Sequence, residues 1–400
     1  MTLAIEPLID YRAIVAELVQ EFATTAVERD AQGGTPQYER DRLRQSGLLK
    51  LIIPKQYGGW GESWVTTLQL VREFAKVDSS IAHIFSYHHL GVVAPHIFGT
   101  LEQRERYYTQ TARNNWFWCN GLNPLDRRVT LTPEPDSFQA GEPQRFRLNG
   151  TKSFCSGSVD SDLIPVTAVQ EGAAGLTIAI VPTQREGVVV HGDWDNIGQR
   201  QTDSGSITFN NVLVERDELL IPDADGSVFK TIRACFTQVT FANIYLGIAI
   251  GALSAAKEYT QTQTRAWITS GVEKATQDPY ILHHYGELWT NLQAATVLTD
   301  RATEQAQRIW ERGDALTLEE RGECAMSIAV AKSFVTKVGL ETTSKIFELM
   351  GTRSTAAKYG FDRYWRNLRV FTLHDPVDYK IRSIGNWVLN GELPKPDLYS

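Results

Sequence analysis

Four hundred residues, 42% of them hydrophobic and 22% charged, suffice for two or three structural units around a large core and exclude a disordered or fibrous chain. A net charge of −7, with Lys and Arg scattered along the chain, leaves no electrostatic footprint for nucleic acid. The four cysteines, Cys119, Cys155, Cys235 and Cys324, form no Cys-x-x-Cys pair and no zinc spacing, so they read as reduced thiols and no metal is expected.

The opening residues lack a basic stretch followed by an apolar one, and no apolar run reaches the roughly 18 residues of a membrane span. No membrane segment is expected, and the cytoplasm is the default location. Over residues 8–30, Tyr11, Ile14, Val15, Leu18, Val19, Phe22 and Ala26 recur at three- and four-residue spacing, which predicts one amphipathic helix ended by Gly33-Gly34. Thr35-Pro36 opens a second helix with proline at its first position, and Ser46-Gly47 stops it. Pro54, Gly58, Gly59 and Gly61 predict a compact turn. Helical patterns then run from about Thr66 to Asn114, too apolar for one exposed layer and therefore a bundle packed on all sides.

From about Trp116 to Val214 the pattern changes to short apolar runs: 146–148, 163–166, 176–181, 188–190 and 207–209. Asn149-Gly150 has the signature of a tight hairpin turn, and the Pro-rich, charged residues 131–144 read as a solvent loop. Long helical patterns return at 229–264, 279–312 and 317–350, with shorter ones after Tyr359; lengths near thirty residues point to helices that also pack across subunits. Asp223-Ala224-Asp225-Gly226 is the obvious linker. The expected fold class is mainly α with a central β-domain: an N-terminal helical domain over 1–115, a β-barrel-like domain over 116–220 and a C-terminal four-helix bundle over 221–400.

Two loops in the β-rich part carry the chemistry. Phe154-Cys155-Ser156-Gly157 and residues 194–206, the latter with Trp194, Thr202, Ser204 and Ser206, combine large aromatics with small hydroxyl residues and backbone amides. A flavin needs that mixture, a stacking surface on one side and hydrogen-bond groups along its polar edge. No phosphate-cradling P-loop, no Gly-x-Gly-x-x-Gly after a strand, no His-Glu-x-x-His and no Gly-x-Ser-x-Gly elbow is present.

The helix–strand–helix order, with Tyr57-Gly58-Gly59-Trp60-Gly61 and Leu148-Asn149-Gly150-Thr151-Lys152, resembles the acyl-CoA dehydrogenase superfamily over nearly the whole chain. Within it the closer likeness is to the two-component flavin monooxygenases, dibenzothiophene monooxygenases most of all. It is carried by Tyr87-His88, Asn114-Asn115-Trp116, Phe154-Cys155-Ser156-Gly157, the 199–206 loop, Phe241-Ala242-Asn243, Tyr359-Gly360-Phe361-Asp362-Arg363 and His374-Asp375-Pro376. A dehydrogenase needs a glutamate base at the flavin. The two stretches where the superfamily places one read Thr372-Leu373-His374-Asp375-Pro376 and Thr240-Phe241-Ala242-Asn243, so Asp375 is the nearest carboxylate.

The resemblance implies a homotetramer that takes reduced FMN, or alternatively FAD, from a separate NAD(P)H:flavin reductase. With O2 it would oxygenate a small apolar aromatic organosulfur compound, sulfide to sulfoxide to sulfone, through a flavin hydroperoxide. An amino sugar or an indole is the alternative acceptor, and an acyl-CoA dehydrogenase the further one. The implied catalytic residues are His88, Asn120, Ser156 and His374, neutral groups able to manage a proton. Phe154, Trp194, Thr202, Ser204 and Ser206 would hold the flavin ring, and Arg265 and Arg353 its phosphate. Six of them have a plainer alternative: His88 as a hydrogen-bonded core residue, His374 as a helix cap, Ser156 satisfying strand-edge amides, Trp194 as packing, and the two arginines as surface ion pairs. Gly121-Leu122-Asn123-Pro124-Leu125 after Asn120, and His89 beside His88, depart from the closest pattern near the presumed substrate cavity.

Overall fold

The computed structural model describes residues 10–171, 175–221 and 226–400. Seven helices come first: α1 (Tyr11–Ala23), α2 (Ala26–Gln32), α3 (Gln37–Ser46), α4 (Trp64–Val77), α5 (Ser79–Val92), α6 (Ala94–Phe98) and α7 (Leu101–Asn114). The single helix expected over 8–30 is two helices, and its first two residues lie outside the described ones. Adjacent β-branched threonines break it: the Thr24 hydroxyl turns back to the Glu21 carbonyl at 2.7 Å, and Thr25 leaves helical geometry at φ −119°. Pro36 is the residue preceding α3.

α5 is buried along its whole length. Asp78 starts it, its carboxylate accepting from the Ser80 and Ile81 amides at 2.9 and 3.1 Å. The expectation of a bundle packed on all sides holds here, because α4, α8 and the β-rich unit enclose this helix.

The β-rich unit contains β1 (Thr130–Pro133), β2 (Phe138–Gln139), β3 (Glu142–Pro143), β4 (Arg145–Lys152), β5 (Leu163–Gln170), β6 (Leu176–Pro182), β7 (Val188–Val190), β8 (Ile207–Glu215) and β9 (Leu219–Leu220). Seven strands form one sheet in the order β7-β8-β4-β1-β5-β6-β9, antiparallel except for the β1–β5 pair. Two expectations fail in this unit. Residues 131–144 are not all solvent loop: Leu131 is buried in β1, pairing with Leu148, and β2–β3 make a small hairpin. Asn149-Gly150 makes no turn either; β4 runs straight through it with a bulge, and the Asn149 side chain accepts from the Asn211 amide at 2.8 Å. Gly150 has φ +118°, and a Cβ there would stand 2.2 Å from the Arg128 carbonyl oxygen, so the glycine serves close backbone approach.

Five helices follow: α8 (Arg233–Thr262), α9 (Pro279–Arg312), α10 (Leu318–Met350), α11 (Asp362–Phe371) and α12 (Val377–Asn390). Among the described residues, one stretch, around α8, is long and apolar enough to cross a membrane by length and composition, and it is mostly buried inside the bundle. The first long helix ends at Thr262, so Arg265 lies beyond it in the connector to α9, bridged through its backbone to Lys274. The linker expected at 223–226 falls, except for Gly226, outside the described residues. α5 and α11 both bond the loop between β7 and β8, and α8 packs on α11 through Phe241 and Phe371.

Candidate functional site

The two loops singled out in the sequence lie side by side. The Cys155 amide donates to the Gly205 carbonyl at 2.9 Å and the Gly157 amide to the Thr202 carbonyl at 2.8 Å. Three residues other than glycine are left-handed here, Phe154 (φ +59°), Gln199 (+54°) and Asp203 (+47°). Such backbone persists only where the surroundings over-determine it, and it concentrates at functional sites. Arg40, fully buried on α3, is one of those surroundings: it donates to the Gly157 carbonyl at 3.1 Å and pairs with Asp160 at 3.0 Å and Asp203 at 3.3 Å. Burial raises the Asp203 carboxyl to about 6 against the pull of Thr35 and Arg40.

Ser156 heads a row of buried hydroxyls. Its Oγ lies 2.8 Å from Ser204 Oγ, which lies 2.7 Å from Thr202 Oγ1, and Thr202 donates to the Gln199 carbonyl at 2.9 Å. That carbonyl sets the direction. Thr202 spends its only proton there, so it can only accept from Ser204, and Ser204 in turn accepts from Ser156. Ser156 therefore presents lone pairs, not a proton, on its free side. The Trp194 indole N–H occupies the same Gln199 carbonyl at 2.8 Å, and the Gln199 amide donates to Asn367 Oδ1 on α11 at 2.7 Å.

Asn120 is brought directly against Ser156, its amide donating to the Ser156 carbonyl at 3.0 Å. Phe154 is 58% exposed although it is a large aromatic, and it stands edge-on to Trp194 with centroids 6.1 Å apart. Ser206 differs from the other hydroxyls, donating to the Asp193 carboxylate at 2.5 Å. That bond and the Ser206 amide hold Asp193 below its ordinary value. A cleft of about 250 Å³ lies between Gly33–Gly34 and the Gly192–Asn196 segment, bordered by Trp194 but not by Ser156.

The second cluster faces this one across α5 and α11. His374 Nδ1 donates to Asp375 Oδ1 at 3.0 Å, and its ring meets Phe241 at 4.6 Å. Asp375 is buried among Lys332 at 2.5 Å, Gln238 at 3.3 Å and Lys380 at 3.7 Å. Burial alone would raise its carboxyl, but the bond to His374 and the Lys332 charge outweigh that and hold it well below the usual range. Burial likewise lowers Lys332, to about 8, despite Asp375. Oδ1 takes all three hydrogen bonds, from His374, Lys332 and Gln238, whereas Oδ2 has no hydrogen-bond partner and meets only the Lys380 charge at 3.7 Å.

His83, absent from the sequence-based candidates, stands beside His374. It is buried against Tyr87 at 4.3 Å and Phe371 at 4.7 Å, neither ring nitrogen has a partner among the described residues, and burial lowers it to about 3. One helical turn earlier on α5, Ser79 accepts from the Gln199 side chain at 2.9 Å, which ties His83 to the hydroxyl row. The His83/Tyr87 spacing of four, one face of a helix, was the available signal. Lys332 and Arg40 left none, each being one cation among many on helical patterns.

His88 sits differently. It is fully buried, with Nε2 on the Leu49 carbonyl at 2.6 Å and Nδ1 accepting from the Trp118 amide at 3.2 Å, and burial lowers it to about 3. Both nitrogens are spent on backbone. Arg265 and Arg353 lie apart from both clusters: Arg353 is exposed and donates to the Gln263 carbonyl at 2.9 Å, next to the connector that carries exposed Arg265. Among the described residues no group of three or more acidic, His or Cys side chains is placed to hold a metal. For a flavin the residues fit: an exposed left-handed aromatic beside a row of buried hydroxyls supplies a platform and a polar edge.

Models of the acyl-CoA dehydrogenase N-terminal, middle and C-terminal domains match residues 9–115, 132–212 and 239–379. The chain is 48% identical to the probable FMNH2-dependent monooxygenase SfnC of Pseudomonas putida, over 97% of each chain. It is 44% identical to the dibenzothiophene monooxygenase of Rhodococcus qingshengii, over 97% of this chain and 95% of that one. Among solved structures, methanesulfinate monooxygenase MsuC from Pseudomonas fluorescens superposes with a TM-score of 0.94 at 48% identity, covering 98% of this chain and all of that one. FMN-bound TdsC from Paenibacillus sp. A11-2 gives 0.91 at 43% identity, over 97% and 99%.

Proposed function

Because this chain belongs to the acyl-CoA dehydrogenase family, yet holds the carboxylate beside His374, that of Asp375, between two lysines, we propose that it is a reduced-FMN-dependent monooxygenase acting on an organosulfur compound. The names of its relatives, FMNH2-dependent, dibenzothiophene and methanesulfinate monooxygenase, support that reading. Reduced FMN would come from a separate NAD(P)H:flavin reductase, which acts as a transient partner.

Bound reduced FMN supplies two electrons, with which O2 delivers one oxygen atom to sulfur and the other to water. Phe154 and Trp194 would hold the ring, and Ser156, at the head of the hydroxyl row, would accept a hydrogen bond from its edge. Asn120, tied to Ser156, positions the substrate. His374 donates through Nδ1 to Asp375, which leaves Nε2 to give or take a proton; neutral, unpartnered His83 beside it shares that task. His88 acts at one remove, pinning the Trp118 amide and so the segment that carries Asn120. Arg265 and Arg353 would hold the FMN phosphate of a neighbouring subunit in a homotetramer. The exposed stripe Leu282, Trp289 and Val297 along α9 supports that assembly. The three units divide at 115/116 and 220/221, and the four buried free cysteines suit the reducing cytoplasm.

The carrying observation is that the carboxylate beside His374, Asp375, is held between Lys332 and Lys380, with neutral hydroxyl, amide and imidazole groups around it. Product analysis under 18O2, with FMN and a reductase, tests the proposal. One labelled oxygen per turnover in the sulfur product is expected. Anaerobic reduction of bound flavin by an acyl-CoA ester would replace this reading with a dehydrogenase.

A further inference from the structure

Arg40, fully buried on α3, touches all three segments that make up the first cluster of the candidate site. Toward the segment that carries Asn120, its guanidinium lies over the Phe117 ring, 4.3 Å from the centroid. Toward the Ser156 loop, Nη2 donates to the Gly157 carbonyl at 3.1 Å. Toward the loop that carries Thr202 and Ser204, Nη1 donates to Asp203 Oδ2 at 3.3 Å. Asp160 takes the remaining contacts, its side chain accepting from Nε at 3.0 Å and its carbonyl from Nη2.

Its neighbours do less. Arg29 reaches one of these segments, bonding Gln201 Oε1 at 3.1 Å, while its other donors go to Thr25, Glu39, Asp78 and the Phe22 carbonyl within the helical unit. Arg44 reaches Phe117, 5.4 Å from the ring centroid, and Asp160 at 2.5 Å. The loops need such a tie. Asp203 stands between Thr202 and Ser204 in left-handed backbone, φ +47°, and its side chain is anchored on the helical unit by Thr35 at 2.7 Å and by Arg40. Fixing that carboxylate fixes the direction in which the two flanking hydroxyls leave the chain. A planar guanidinium meets a ring face, a carbonyl and a carboxylate at once; a lysine ammonium is a point charge on a flexible stem.

We propose that Arg40 is a positioning residue of the flavin site: from the N-terminal helical unit it sets the spacing of the Asn120, Ser156 and Thr202–Ser204 segments, and FMN binds tightly only while that spacing holds. The inference rests on the reading that these segments seat the flavin. Arg40 touches no reacting atom and acts through Phe117, Gly157 and Asp203. Hydrogen bonds weaken steeply with misalignment, so a small shift of one loop against another costs affinity without unfolding the chain. The competing account is purely structural: Arg40 balances Asp160 and Asp203, and its removal strands buried carboxylates. In that account, FMN affinity follows stability. In the proposal the two separate.

Fluorescence titration with FMN and visible circular dichroism of the bound flavin, run beside urea unfolding, test the assignment. Arg40→Lys should weaken FMN binding at least about tenfold and alter the dichroism, because the charge survives and the planar contacts do not. Arg40→Met combined with Asp203→Asn removes the cation and a carboxylate together; asparagine tolerates left-handed backbone, and Arg44 still meets Asp160. The double variant should regain most of the stability that Arg40→Met loses, yet stay at least about tenfold weak for FMN. FMN affinity within about twofold of wild type in Arg40→Lys, or restored in step with stability in the double variant, would overturn the proposal. Should the Arg40 variants not fold, Asp203→Asn decides, since it leaves Arg40 its bonds to Gly157 and Asp160: FMN weakened about fivefold supports the proposal, and unchanged affinity removes it. Phe154→Ala reports on the underlying reading. Weakened FMN in Phe154→Ala with wild-type affinity in Arg40→Lys leaves the seat standing and takes Arg40 out of it; unchanged FMN affinity in Phe154→Ala removes the seat itself.

Discussion

Two polar networks are linked through α5 and α11 and are built in opposite ways. The Ser156–Ser204–Thr202 row is neutral throughout and ends on a carbonyl, so its one degree of freedom, the direction of its protons, is settled by Gln199. The His374–Asp375–Lys332 network is ionic and depends on charge balance, in which removing one member strands another. The first holds a shape and a direction that pH does not alter. On the proposed function, the second is where a proton would move. An oxygenase needs both, and a dehydrogenase with a free carboxylate base would need neither in this form.

The comparison is broken most severely at His374. Replacing it with Ala should lower turnover by about 10²–10⁴-fold, the usual contribution of a general acid or base, with little change in FMN affinity. Rapid-mixing turnover and FMN titration on one sample separate the two; loss of FMN binding instead would make His374 part of the cofactor's seat. Lys332→Met should act on the fold. Leaving the Asp375 carboxylate buried without its cation should cost about 3–5 kcal/mol in urea unfolding, with much of it returned by the double change Lys332→Met with Asp375→Asn. An additive double mutant would mean the two groups are not coupled.

The same network carries a pH signature. Lys332 titrates near 8 in the fold against an ordinary 10.5, so between those values the unfolded chain binds more protons, and this group's contribution rises with pH. Asp375, held below its ordinary value, contributes stability above about pH 4 that is lost as pH falls.

The neutral row was the more legible of the two from sequence. Phe154, Ser156, Thr202 and Ser204 lie in two short loops whose composition announces a flavin, and the strands around them fix where loops must be. The ionic network was half legible: His374 and Asp375 share a motif, but Lys332 is one lysine on a thirty-three-residue helix, and only tertiary packing turns it inward. His83 and His88 show the limit most clearly. Both lie on a helix buried on every side, so periodicity cannot say which face meets the pocket, and a motif match chose the residue that spends both nitrogens on backbone. Asn149-Gly150 failed for a related reason: the pair that favours a turn equally suits a bulge, and the choice rests with the Arg128 carbonyl far along the chain.

The direction of the hydroxyl row sharpens the comparison with a smaller effect. If Ser156 donates to Ser204, then Ser204→Ala frees the Ser156 proton and turns an acceptor into a possible donor. Oxidised and reduced flavin differ in whether their central edge accepts or donates, so the ratio of the two binding constants should shift toward oxidised FMN by about tenfold, equivalent to about 1.4 kcal/mol. Thr202→Val should do the same more weakly. A ratio unchanged in both variants would mean that the row does not set Ser156's polarity.

The smallest effect distinguishes His88 from the histidines of the pocket. It is neutral in the fold near pH 7, titrating at about 3, whereas a histidine of the unfolded chain titrates near 6.5. Between those values the unfolded chain binds a proton that the folded one refuses, so stability falls as pH falls, by up to about 1.4 kcal/mol per pH unit for this one group. His88→Gln, which keeps a donor and an acceptor for Leu49 and Trp118, should flatten the slope of unfolding free energy between pH 6 and 4.5 by about that amount and leave turnover at pH 8 within about threefold. A turnover loss as large as that of His374→Ala would instead place His88 at the reacting atoms. It would also mean that the two backbone bonds now occupying its nitrogens give way when substrate binds.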